Sequence, residues 1–111
     1  MSDPSPGSLF GGEALSQERK SSLWPILMRP DDVVPMKRAV DLTGRDERTL
    51  RNWNKRYRVG RQSSKSAPIE FSAPALVMIL HGDTFALEEL RKGNRMHPSV
   101  VRYFEFLGIP V

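Results

Sequence analysis

The run VDLTGRDERTLRNWNKRYRVGRQSSK, Val40 to Lys65, decides how this chain is read. Thr43-Gly44 closes one apolar-periodic segment, because glycine supplies the left-handed conformation that ends a helix. Asp46 opens another. Its carboxylate can accept the free N–H groups of a first turn, and Glu47 complements the helix dipole there. A helix is predicted over about 47–57. At about 100° per residue, Leu50, Trp53 and Tyr57 fall within one sector, and Arg48, Arg51, Asn52 and Lys55 fall in the opposite one. The first sector has to pack. The second is left for solvent or a partner.

Working outward, Pro35 suits the first turn of a helix, and Met36, Ala39, Val40 and Leu42 recur at helical spacing. A helix is therefore predicted over about 35–43, after a hinge at Arg29-Pro30-Asp31-Asp32. Gly44-Arg45-Asp46 then forms a tight turn between two short helices, a helix-turn-helix. Downstream, Arg58–Arg61 and Pro68–Phe71 read as two short strands around the polar loop Gln62–Ala67, a β-hairpin wing. Ser72 and Pro74 open the helix APALVMIL, which is apolar on all sides and so expected to be buried. Gly82 ends it. Thr84 is placed to cap FALEELRK, with Phe85 or Leu87 and Leu90 inward, and Gly93 stops it. Pro98 opens a last helix through Leu107, with Val100, Tyr103, Phe104 and Leu107 on one side.

The predicted fold is mainly α with a small β-hairpin: a winged helix-turn-helix domain over residues 31–111 with a C-terminal helical extension. Residues 1–30 read as a flexible N-terminal tail rich in Ser, Pro and Gly. It carries a short apolar patch, LWPILM, at 23–28. That patch is either a strap across the domain or a docking motif, with Trp24 as its largest group.

Charge sharpens the reading. Of 17 basic and 13 acidic residues, ten basic and three acidic ones lie between Met36 and Lys65, a local charge of +7 against −3 for the rest. A concentrated positive block in an otherwise mildly acidic chain points to a polyanionic partner. The absence of cysteine excludes disulfides and cysteine-ligated metal sites, and two histidines do not make a metal site. No metal or cofactor is expected. No apolar run reaches the roughly 18–20 residues of a membrane span, and no secretory signal pattern opens the chain. A soluble cytoplasmic, nucleoid-associated protein is expected.

The residue types on the outward sector suit duplex DNA. Arginine pairs bidentately with guanine and asparagine with adenine in a major groove about 12 Å wide, which admits one helix. Arg48, Arg51 and Asn52 are thus candidates for base edges, Lys55 and Arg56 for phosphate, and Thr49 for a further phosphate contact. Trp53 reads as a core anchor. On the wing, Arg61 and Lys65 flank the small Ser63 and Ser64, a composition able to enter a narrow minor groove or lie on phosphates. No base stands in a recognisable constellation with either serine, so no enzyme is expected.

TGRDERTLRNW, Thr43 to Trp53, resembles the helix-turn-helix of MerR-type winged domains, which carry a turn glycine, a Thr-Leu-Arg and a following aromatic. The VGR, the hairpin and the helix beginning S-A-P-A-L resemble the wing and next helix of MerR-like excisionases, also called recombination directionality factors. The likeness covers about residues 33–82. It implies a protein that bends or coats attachment-site DNA, so that an integrase excises rather than integrates. It also implies DNA contacts from Thr49 and Arg51, and a place in the wing for Arg61. The chain departs from MerR activators in lacking a long coiled-coil helix and a cysteine metal sensor. Residues 94–111 either complete the core or meet another copy or a recombinase through Tyr103, Phe104 and Phe106. Self-association on DNA is expected with the second arrangement. A small transcriptional regulator and a protein-interaction adaptor are the alternative roles.

Overall fold

The structure, a computed structural model, describes residues 24–111. The expected tail therefore lies outside the described residues up to position 23. The described part is mainly helical, with a small three-stranded antiparallel sheet. A 3₁₀ turn at Pro30–Asp32 leads into β1 (Val33–Pro35), α1 (Met36–Thr43) and α2 (Glu47–Tyr57). Next come β2 (Gly60–Arg61), β3 (Glu70–Ser72), α3 (Ala73–Leu80), α4 (Thr84–Arg91) and α5 (Pro98–Leu107).

The helix limits follow from their caps. α1 ends at Gly44, which adopts φ 69° and donates its N–H to the Val40 carbonyl. Thr43, buried in the last turn, bridges the exit: its hydroxyl donates to the Ala39 carbonyl and accepts from Arg45 N–H. α2 begins with Asp46 Oδ1 accepting Thr49 N–H at 2.8 Å. That bond is the first cause holding the Asp46 carboxyl below its ordinary range. Ser72 caps α3 through Ala75 N–H. The cap of α4 is Asp83 rather than the expected Thr84: the carboxylate accepts Ala86 N–H at 3.0 Å, and Thr84 becomes the first helical residue. Two adjacent residues could each cap, and the charged acceptor prevails.

β3 is the middle strand, with β1 and β2 on either side. Val34 pairs with Phe71, and Arg61 with Glu70. β1 was not anticipated. Three residues ending in proline carry no alternation, and their partner lies almost forty positions downstream. The hairpin strands are also shorter than expected. Arg58 and Val59 belong to the exit from α2, since Arg58 sits at φ 57°, ψ 47°.

α3 is the central element, as its composition demands: Ala73 to Met78 are all buried. It packs against α1, α4, α5 and β3. Phe71, Leu87, Val100 and Phe104 join its Leu76 and Met78 in the core. Leu87 and Leu90 are the inward residues of α4, whereas Phe85 is exposed. Ile26, from the apolar patch, is 4% exposed and belongs to the same core. The packed unit therefore starts before residue 31, and Trp24–Met28 is a strap rather than part of a free tail.

Two arginines, Arg91 buried and Arg95 half-buried, tie distant segments together. The Arg91 side chain, 2% exposed, donates to the carbonyls of Trp24 and Tyr57 and pairs with Glu88. It thus holds both the strap and the end of α2. Arg95 forks onto Asp32 at 2.8 and 3.1 Å and lies over the Phe104 ring.

Candidate nucleic-acid interface

α2 divides as its sequence requires. Leu50 is fully buried, and Trp53 and Tyr57 pack partly against the core. Arg48, Arg51, Asn52, Lys55 and Arg56 are exposed, and Thr49 is half-buried at the boundary. Two of these cations have internal partners. Arg51 lies 3.8 Å from Glu47 one turn back, and the Arg56 guanidinium sits 5.3 Å from the Tyr57 ring centre. Pairs this exposed are weak, so neither holds its arginine against a competing anion.

The hairpin is joined to α2 at its base. Asn54 Oδ1 accepts Gly60 N–H at 2.7 Å, a bond between the last turn of the helix and the first residue of β2. A side chain at position 60 would come within 3.1 Å of both Asn54 and the Glu70 carbonyl, so only glycine fits comfortably. Beyond this junction, Ser63, Ser64 and Lys65 are exposed at the tip. Gln62 organises the tip by donating to the carbonyls of Lys65 and Ala67, at 3.2 and 2.6 Å. Arg61 differs from expectation in one respect: its Nε is 2.9 Å from Glu70 Oε1, its cross-strand partner. Any anion that takes Arg61 has to compete with that carboxylate.

Asn54, Gln62 and Arg91 were not singled out in the sequence, although they position the helix end and the hairpin. Asn54 and Arg91 bond main-chain groups of other segments and Gln62 bonds carbonyls of its own loop, and a polar side chain carries no signal of a main-chain partner.

Four aromatic residues were expected as protein-contact candidates, and they separate into two kinds. Trp24 and Phe106 are exposed, at 55% and 71%. Tyr103 and Phe104 are buried and cannot present a surface. One side of α5 closes over α3 and α4, and Tyr103 donates its hydroxyl to Asp83 Oδ2 at 2.6 Å. Burial and that acceptor push the phenol up to about 12, while the same bond, first among its causes, lowers the Asp83 carboxyl. Residues 98–107 thus complete the core on one side and leave Phe106 on the other.

Among the described residues, no group of three or more His, Asp or Glu side chains is placed to hold a metal ion. No helix among them is long and apolar enough to cross a membrane. No protein-family model, curated protein or solved structure matches this chain.

Proposed function

We propose that this chain is a sequence-selective, architectural DNA-binding protein of the winged helix-turn-helix type, and that it acts as an excisionase. The observation that carries the reading is the division of α2: Leu50 is in the core while Arg48, Arg51, Asn52 and Lys55 are all exposed on the other side. In this reading α2 is the recognition helix. It enters the major groove with Arg48, Arg51 and Asn52 toward base edges, and Lys55, Arg56 and Thr49 on phosphates. The hairpin is the wing, and Arg61, Ser63, Ser64 and Lys65 follow the adjacent backbone or minor groove.

The chemistry is binding alone; no bond is made or broken. Release of condensed counterions supplies part of the affinity, so binding weakens steeply with salt. One small wing domain reads few base pairs, and neighbouring copies supply the remaining specificity. Of the four aromatic candidates, Trp24 and Phe106 are the ones exposed to such a neighbour or to a recombinase. Side-by-side copies would bend or coat attachment-site DNA and direct an integrase toward excision.

Footprinting on DNA from the native locus, at rising protein concentration, tests this role. Several repeated sites that fill together are expected, with the protected DNA migrating as a bent fragment. A single isolated site over a promoter would favour a transcriptional regulator, and no protection at any concentration would overturn DNA binding itself.

A further inference from the structure

Five described residues have positive φ: Gly44, Arg58, Gly82, Gly93 and Gly108. Each lies at or just beyond the end of a helix, where the left-handed conformation turns the chain away. Four are glycine, the residue for which this conformation is free of Cβ conflict. Arg58 alone carries a long side chain there, at φ 57° and ψ 47°.

The backbone around Arg58 is fixed from every side. Its N–H donates to the Asn54 carbonyl at 2.8 Å, and the preceding Tyr57 carbonyl accepts from buried Arg91. The following Val59 is fully buried, and its carbonyl accepts Ser72 N–H at 3.0 Å. These contacts involve main-chain atoms or neighbouring residues, so glycine would serve the turn at least as well. What glycine would remove is the guanidinium. That side chain is exposed, and it makes no hydrogen bond or ion pair among the described residues. Arg51 and Arg61, in the same stretch, both lie against carboxylates. A strained backbone at an exposed cation that has no partner among the described residues points to a use for the cation.

We propose that Arg58 is a direct contact to a DNA phosphate, presented at the junction of α2 and the hairpin, between Lys55-Arg56 and Arg61 along the chain. The proposal rests on the DNA-binding reading above and adds a residue that the helix face and the hairpin tip do not include. A phosphate contact needs a cation with room to approach but no base-edge geometry, and a junction outside the helix groove offers that.

Binding of a labelled mixed-sequence duplex by the full chain tests the assignment, using Arg58→Gly, Arg58→Asn and Arg58→Lys. Glycine and asparagine both accept the left-handed turn. Each is expected to weaken binding at low salt, while Arg58→Gly leaves the melting temperature unchanged or raises it by a few degrees. The slope of log affinity against log salt should fall by about 0.9, so the gap to wild type narrows about threefold between about 50 and 200 mM salt. Arg58→Lys retains the charge and should keep most of the affinity and the full slope. Unchanged affinity and slope in the Gly and Asn variants would overturn the proposal while leaving the DNA-binding reading intact. So would equal losses in Lys and Gly, or a lower melting temperature in Gly. If the unaltered chain bound no duplex, both would fall.

Discussion

Arg61 lies between two possible partners, Glu70 across the strand pair and the phosphate that its place in the hairpin suggests. Glu70 is half-exposed and 2.9 Å away, so the pair adds little to stability but does occupy the cation. Glu70→Gln should therefore raise DNA affinity about two- to fivefold at low salt, with a stability change within about 0.5 kcal/mol. Unchanged or weaker binding would place Arg61 outside the interface. Tyr103 has the opposite character, since its hydroxyl serves the fold alone. Its folded-state value, near 12, lies above the ordinary 10. The phenol's proton is thus held more tightly in the folded chain. Its stabilising contribution is complete below about pH 10 and is lost as pH rises toward 12. Tyr103→Phe should lower stability at neutral pH by about 1–2 kcal/mol. The difference from wild type should then close between about pH 10 and 12, measured by urea unfolding across that range. A gap of constant size would show that the Tyr103–Asp83 bond is not its source.

At the scale of elements, α2 and its surroundings were the most legible part of the sequence. Asp46 and Tyr57 bound a helix whose periodic apolar and basic sectors fall as expected, because cap chemistry and helical spacing are local. The limits of α3 and α5 were legible for the same reason, from Ser72 and Pro74, and from Pro98 and Gly108. What was not legible depends on distant partners. β1 exists only because Val33 to Pro35 meets β3, and the strap is fixed only because Ile26 finds the core and Arg91 finds the Trp24 carbonyl. The left-handed turn at Arg58 was hidden because arginine is not the residue that announces it. Of the candidate DNA residues, those on α2 were readable from one helical wheel. The pairing of Arg61 and the bracing by Asn54 and Gln62 were not. Arg91 carries the clearest test at this scale. Arg91→Met keeps much of the volume but strips the Tyr57 and Trp24 carbonyls of their donor and leaves Glu88 unpaired. A loss of about 2–3 kcal/mol in urea unfolding is expected. A change under about 0.5 kcal/mol would mean that α2 and the strap are held by apolar packing alone.

On the scale of the whole molecule, most of the core and most of the basic residues lie in different elements. α3, α4 and α5 supply most of the core. The local charge of +7 between Met36 and Lys65 lies in α1, α2, the turns around them and the first part of the hairpin, while the rest of the chain is mildly acidic. That asymmetry favours one orientation on a polyanion. The C-terminal helix, whose large apolar groups suit either the core or a partner, mostly serves the core and leaves Phe106 as its exposed aromatic. Whether the outward face of α2 reads duplex DNA, as proposed, is decided by Arg51→Ala in the footprinting titration on native-locus DNA. Arg51 is exposed and joined only weakly to Glu47, so the variant should fold and melt like wild type. Protection should be lost or shifted to concentrations about tenfold higher, corresponding to about 1–3 kcal/mol of a base contact. Wild-type protection by a normally folded Arg51→Ala protein would contradict that reading.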